Sequence, residues 1–430
     1  MSTAVLPTTV EMARVIAAAL ADDRVRRHHE DLPEPSLEEE RELARSVAAS
    51  ILARRRTGGE WGFDVLPDPA ERVLVEESVS AVLGLGRLEP LLADDDISDI
   101  HVRGNRPVWV KMRDGRRREH PPIVDSDAEL VDLIRRMATR MGHREQRFDP
   151  AHPHLNLQLP DGSRIFAAME VSRRPTLVVR RHRFEYSSLG ELCNRGMMTP
   201  EVAGFLAAAV RARRNIVVAG GTGSGKTTLL RALINEIPPS ERIVTIEDAY
   251  ELGIENFEDR HPDHDSLQAR EANVEGHGEI TMADLTRMAL RMDPDRVIVG
   301  EVRGAEAFPM LLAMSQGNNG SMCTMHADSG RSVFPKLLAY VSMGPTVPPA
   351  ETITLLVAGA VHLVVHVRTA GTGRIVSSVH EVAGHSGTDV ALNEVWSEGA
   401  DCMPFAALRR PTALLLEEHG FRGREAGWNP

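Results

Sequence analysis

Between residues 37 and 56, Leu43, Val47 and Ile51 recur at a spacing of four, which lays them on one face of a helix. Pro33 and Pro35 separate that helix from a preceding one, and Pro67 and Pro69 end the connection that follows it. From Gly84 to about Phe184 the pattern becomes mixed. Residues 97–102 and 108–112 read as strands, with a turn at Asp114-Gly115 between polar flanks. Residues 130–141 read as a helix; 154–159 and 164–169 read as strands joined by Pro160-Asp161-Gly162-Ser163, and 176–179 as another strand. From Pro200 onward, helical stretches alternate with short apolar runs at 216–219, 243–246, 297–299, 321–325 and 361–367. That alternation predicts a mainly parallel sheet covered by helices, in the α/β class.

This divides the chain into a helical region (1–80), an α/β domain (81–184), a less regular linker (185–199) and a second α/β domain with a C-terminal tail (200–430). A length of 430 residues agrees with two or three domains. Residues 1–80 fit either a docking module for partners or a helical cap on the core. A net charge of −12 and an aromatic content of 4% disfavour a dedicated nucleic-acid binder. No apolar run reaches the length of a membrane span, and no signal peptide is evident. Cys193, Cys323 and Cys402 lie far apart and form no zinc pattern. An intracellular, reduced protein is the simplest expectation.

The most specific chemistry is Gly220-Gly221-Thr222-Gly223-Ser224-Gly225-Lys226-Thr227, which fits the phosphate-binding G-x-x-x-x-G-K-[ST] loop. An apolar run precedes it and a helical run follows, starting with Thr227-Thr228, as the motif requires. Glycines let backbone N–H groups converge on phosphates, and the helix N-terminus adds positive potential. Lys226 would reach the β- and γ-phosphates and Thr227 would bind Mg²⁺. The chain holds three lysines (Lys111, Lys226 and Lys336), so arginine has replaced lysine nearly everywhere except here. A planar guanidinium cannot substitute for a compact ammonium in a tight cradle.

Three further segments supply partners for the loop. The strand after it ends in Glu247-Asp248, at the edge where open α/β sheets bind ligands. These acids would hold Mg²⁺ through water or polarise a water, unless Asp248 serves as a helix cap. The strand at 297–299 runs into Gly300-Glu301, and a glutamate there can align the water attacking a γ-phosphate. Arg303 would either pair with Glu301 or report on the phosphate. His326 ends the strand at 321–325 on the same expected edge and is positioned to sense the γ-phosphate.

In order and spacing, these motifs resemble the type II/type IV secretion ATPase superfamily of secretion and pilus-assembly motors. The phrases TIEDAYEL, LQAREANVEGHGEIT, ALRMDPDRVIVGEVRG and GSMCTMHADS look most like its tight-adherence (Flp) pilus branch, as do GLGRLEPLLADDDISDIHVRG and LNLQLPDGSRI upstream. The likeness runs over roughly residues 75–385. It implies a PAS-like α/β domain followed by a RecA-like P-loop motor domain, assembled as a homo-hexamer that hydrolyses ATP. Such a motor works in the cytoplasm, peripheral to the inner face of the cell membrane, against an inner-membrane platform protein. By motif match, Gly221 to Thr228 bind the nucleotide; Glu247, Glu301 and His326 serve catalysis; and Thr227 and Glu247 hold Mg²⁺, Glu247 through water. Arg164, Arg180 and Arg270 match arginines near the phosphates, where a fork suits bidentate contact.

The chain departs from the family at Ala313 to Asn319 and at Phe334-Pro335-Lys336-Leu337-Leu338, which replaces an arginine-leucine-glutamate run. Proline there is expected to disturb a helix. Competing readings are a RecA-like nucleic-acid motor and a nucleotide-gated scaffold with weak hydrolysis. A GTP switch is disfavoured because no Asn-Lys-x-Asp run occurs.

Overall fold

The structure is a computed structural model, describing residues 9–30, 32–33, 35–57, 69–141, 147–159, 162–181, 187–273, 275–344, 347–371, 373–399 and 408–421. It forms two compact units, divided between Arg181 and His182. Pro160 and Asp161 of the expected hairpin turn, Glu185 at the start of the expected linker, Cys402 and the last nine residues of the tail lie outside the described residues.

In the first unit, α1 (Thr9–His29), α2 (Leu37–Thr57) and α3 (Pro69–Leu83) share a small core of Met12, Ile16, Leu20, Ala44, Ala48, Leu52, Val79 and Leu83. The apolar stripe read at 43, 47 and 51 flanks this core and is partly buried. The innermost positions on α2 are Ala44 and Ala48, because short side chains let the helices approach. Ser36 and Glu39 close a capping box before α2: the Glu39 N–H donates to Ser36 Oγ at 3.3 Å, and the Ser36 N–H to Glu39 Oε2 at 2.7 Å.

Next come α4 (Glu89–Ala93), β1 (Ile97–Arg103), β2 (Val108–Met112), β3 (Arg117–His120), α5 (Asp127–Met141), β4 (His154–Gln158), β5 (Arg164–Ala168) and β6 (Thr176–Arg180). The six strands form one antiparallel sheet in the order β3-β2-β1-β6-β5-β4. Period-two alternation sends Ile100, Val102, Val110, Ile165, Leu177 and Val179 into a core shared with Leu130, Ile134 and Met137 of α5. The strands' cross-pairing places Gln158, Arg164, Arg180, Asp99, Lys111 and Arg117 in one transverse row on the opposite face. β3 was illegible in the sequence because Arg117-Arg118-Glu119-His120 is an edge strand without an apolar face.

The second unit begins with α6 (Leu189–Asn194), α7 (Pro200–Arg211), β7 (Ile216–Gly220), α8 (Lys226–Ile234), β8 (Ile243–Glu247), β9 (His264–Gln268), α9 (Met282–Ala289), β10 (Arg296–Val302) and α10 (Ala307–Ser315). It continues through β11 (Met322–His326), α11 (Val333–Val341), α12 (Ala350–Ala360), β12 (Leu363–Ala370), β13 (Gly373–Ser386), β14 (Asp389–Ser397) and α13 (Arg410–Glu418). Strand order is β14-β13-β12-β7-β11-β10-β8-β9. From β12 to β9 the neighbours are parallel, and β13 and β14 add an antiparallel hairpin edge. Helices cover both faces over two apolar cores, the α/β class and RecA-like arrangement expected.

Two expectations are corrected. Residues 187–199 do not behave as a linker: Ser188 and Glu191 cap α6 reciprocally, and Leu189 and Leu192 are buried in the core of the second unit. Pro335 does not break α11. It stands three residues after the N-cap Ser332, in the first turn, where a missing N–H costs nothing.

Candidate functional site

Because β7, β8, β10 and β11 are parallel and in register, with Gly220 opposite His326 and Val299 opposite both Ile246 and Cys323, their C-terminal ends share one edge of the sheet. The phosphate loop leaves β7 there. Gly223 and Gly225 have φ of 73° and 95°, the left-handed region that glycine adopts freely. At Gly220 a Cβ would meet the Val367 carbonyl at 2.3 Å and Ser224 Oγ at 2.6 Å. Lys226 is buried, with its ammonium donating to the Gly221 carbonyl at 3.0 Å. Ser224 is buried with no hydrogen-bond partner for its hydroxyl among the described residues, while Thr222 is exposed and Thr228 half-buried. An orphaned hydroxyl, an ammonium and the N-terminus of α8 around an open loop fit a phosphate group.

Lys226 Nζ lies 3.4 Å from His326 Nδ1, and His326 Nε2 lies 2.8 Å from Glu301 Oε1. The Arg303 Nε donates to the other carboxylate oxygen of Glu301 at 2.6 Å, and Arg303 Nη1 reaches Asp248 Oδ2 at 3.5 Å. Lys226 can only donate, so Nδ1 must accept and Nε2 must carry the proton. Burial and the Lys226 charge both lower the imidazole pKa, which keeps that neutral tautomer. Burial likewise lowers the pKa of Lys226. Of the two roles open to Arg303, this structure has it paired with Glu301.

Glu247 sits one layer behind. It is 3% exposed, and its Oε1 accepts the N–H groups of Glu251 and Leu252, each at 2.9 Å. Burial pushes its carboxyl up to about 7. A Cβ at residue 300 would meet Glu247 Cγ at 3.1 Å, so a side chain there would press on the buried glutamate. The acid within reach of Thr227 is instead Glu251, whose Oε2 is 3.4 Å from Thr227 Oγ1. Sequence reading stopped at Glu247-Asp248 and missed Glu251, although it stands in the same acidic phrase. It also missed Arg374 of β13, whose Nε donates to the Gly223 carbonyl at 3.0 Å across 151 residues. No local motif announces that contact.

The remaining predicted residues have contacts of their own. Arg164 and Arg180 are cross-strand neighbours in the first unit, and Arg180 Nε is 3.4 Å from Asp99 Oδ1. Arg270 bridges to Ile280 and donates to the Gly278 carbonyl within its own loop. Among the described residues no three His, Cys, Asp or Glu side chains converge as a metal cage. Thr227 and Glu251 offer hard oxygen donors that suit Mg²⁺ arriving with phosphates, because that ion is ordinarily shared with a nucleotide.

Comparison with known proteins gives the same picture. The chain is 38% identical over 300 residues to a putative conjugal transfer protein of Mycobacterium tuberculosis, covering 68% of this chain and 82% of that protein. It is 32% identical over 351 residues to the type IV secretion system protein VirB11 of Brucella suis, covering 73% and 93%. The fold is similar to the X-ray structure of the Legionella pneumophila ATPase DotB, with TM-score 0.51 and 19% identity over 70% of this chain and 81% of that one. Residues 83–388, which follow the helices α1–α3, match the family model described as Type II/IV secretion system protein, and the chain belongs to that family.

Proposed function

We propose that this protein is an ATPase that hydrolyses ATP to power pilus assembly or protein secretion. The observation that carries the reading is the continuous contact from Lys226 through His326 to Glu301 at the mouth of the phosphate loop. Lys226 binds the β- and γ-phosphates, and the N–H groups of Gly221 to Thr228 cradle them. Glu301 orients the attacking water. Mg²⁺, held by Thr227 with help from Glu251 and, through water, Glu247, would neutralise developing phosphate charge.

His326 couples the phosphate end to the water end. A phosphate that draws Lys226 away removes the cation from Nδ1, and the Nε2–H stays on Glu301. Arg303 and His326 together occupy both Glu301 oxygens, so this geometry corresponds to a resting site whose base is released when phosphate competes for Arg303. The same occupancy favours, as a second reading, a nucleotide-gated scaffold with weak hydrolysis.

Arg164 and Arg180, adjacent on one sheet face, and Arg270 are proposed as further phosphate contacts. The working assembly is a homo-hexamer acting on an inner-membrane platform protein from the cytoplasmic side, in the tight-adherence branch. The names of its relatives, conjugal transfer and type IV secretion, support a transport role. No helix of the described residues is long and apolar enough to cross a membrane.

Lys226→Ala tests the binding half. ATP affinity should fall by more than about a hundredfold while the thermal unfolding midpoint holds. Unchanged affinity would refute the assignment of the loop. Mass in solution with and without ATP reads the ring directly, and stimulation by DNA alone would favour a nucleic-acid motor.

A further inference from the structure

Of the three lysines in this chain, two meet the same histidine. Lys226 approaches the ring of His326 at Nδ1, and Lys336 Nζ donates to the His326 main-chain carbonyl at 3.1 Å. Lys336 is half-buried in the second turn-position row of α11, and its root is fixed because Phe334 and Leu337 on either side are buried in the core. The next carbonyl along, that of Ala327, faces His366 Nε2 of β12 at 3.3 Å. Two consecutive carbonyls at the end of β11 are therefore held from two different elements. One ammonium on one carbonyl oxygen needs no fork, so lysine suffices where arginine dominates elsewhere. A charged donor makes this bond roughly twice as strong as a neutral one.

The charged groups facing His326 are Lys226 of α8, Glu301 of β10, Arg303 just after β10, and Lys336 of α11. The ring is useful only while its two nitrogens point at Lys226 and Glu301 at once. The imidazole is 37% exposed, so side-chain packing leaves one side of the ring open. The placement of the backbone from which it springs then helps to fix its aim.

We infer that Lys336 is a positioning residue for hydrolysis, acting through the backbone of His326 to hold the imidazole between Lys226 and Glu301. The inference rests on the ATPase reading above. It also makes α11 the element whose movement reaches the catalytic edge: a partner that shifts α11 shifts the anchor of His326.

Lys336→Met keeps an unbranched stem one atom shorter and removes the donor. With full-length protein, kcat should fall about tenfold, the scale of small misplacements of reacting groups, with KM for ATP within about twofold. Lys336→Arg should recover most of the loss. In a His326→Gln background, Lys336→Met should cost nothing further, since the two act through one ring. A merely structural role for Lys336 would instead add its loss to that of His326→Gln, and that result would overturn the inference. A second readout is independent of turnover: diethyl pyrocarbonate should modify His326 several-fold faster in Lys336→Met than in wild type, followed by peptide mass spectrometry. Equal modification rates would also overturn it. A wild-type protein without turnover would defeat the ATPase reading, while the modification rates would still decide the role of Lys336.

Discussion

Burial first, and then the neighbouring Lys226 charge, favour the neutral ring of His326, and burial with nearby cations acts the same way on a second histidine with a structural task. His362 precedes β12, and its Nδ1 accepts the Asn215 N–H at 2.9 Å. Burial, then Arg214 and Arg409, pull its pKa from 6.5 down to about 4. The unfolded chain therefore binds a proton that the folded chain refuses. The stabilisation is complete above pH 6.5 and is lost as pH falls towards 4. Between pH 7.5 and 5 this one group should remove on the order of 2 kcal/mol of unfolding free energy. His362→Asn retains an acceptor without a titrating ring, so its stability should fall less over that interval in denaturant titrations. Parallel losses in both proteins would contradict the assignment. Gly300 gives a third residue-scale lesson: any side chain there would press on the buried Glu247.

Elements are locked together at the opposite edge of the sheet by Asn215, which is fully buried just before β7. Its Nδ2 donates to the carbonyls of Met314 at 2.7 Å and Ala360 at 2.6 Å, and its Oδ1 accepts from Gly320 at 2.8 Å and Ser321 at 3.1 Å. One side chain thus ties β7 to the ends of α10 and α12 and the start of β11. Asn215→Leu leaves those groups buried and unpaired, and at about 1–3 kcal/mol each the loss should reach 4 kcal/mol or more. Chemical denaturation measures it, and a cost under about 1 kcal/mol would show that the groups find other partners. The elements themselves were largely legible, because β7, β8, β10 and β11 are apolar runs and β2, β4 and β6 of the first unit alternate. Those that were not are the edge strands β3 and β9 and the β13–β14 hairpin at the other end of the second sheet, whose mixed composition carries no period that decides burial. The site divided the same way. Lys226, Thr227, Glu301 and His326 announced themselves by motif. Glu251, Arg374 and Lys336 depend on chain segments meeting in space, as does the retreat of Glu247 behind the loop.

At the scale of the molecule, the two units carry different features: a basic row on the antiparallel sheet of the first, and the phosphate loop with its acid–histidine network on the parallel sheet of the second. The helices α1–α3 precede the region matched by the family and have a core of their own. The central claim is that the second unit hydrolyses ATP with Glu301 orienting the water and His326 reporting phosphate. Steady-state turnover at saturating ATP and Mg²⁺, for wild type and Glu301→Gln side by side with ATP affinity, tests it most directly. The variant should bind ATP within about threefold of wild type and hydrolyse it at least about a hundredfold more slowly, since water alignment is lost and the cradle is not. Equal turnover in the two proteins would contradict the account.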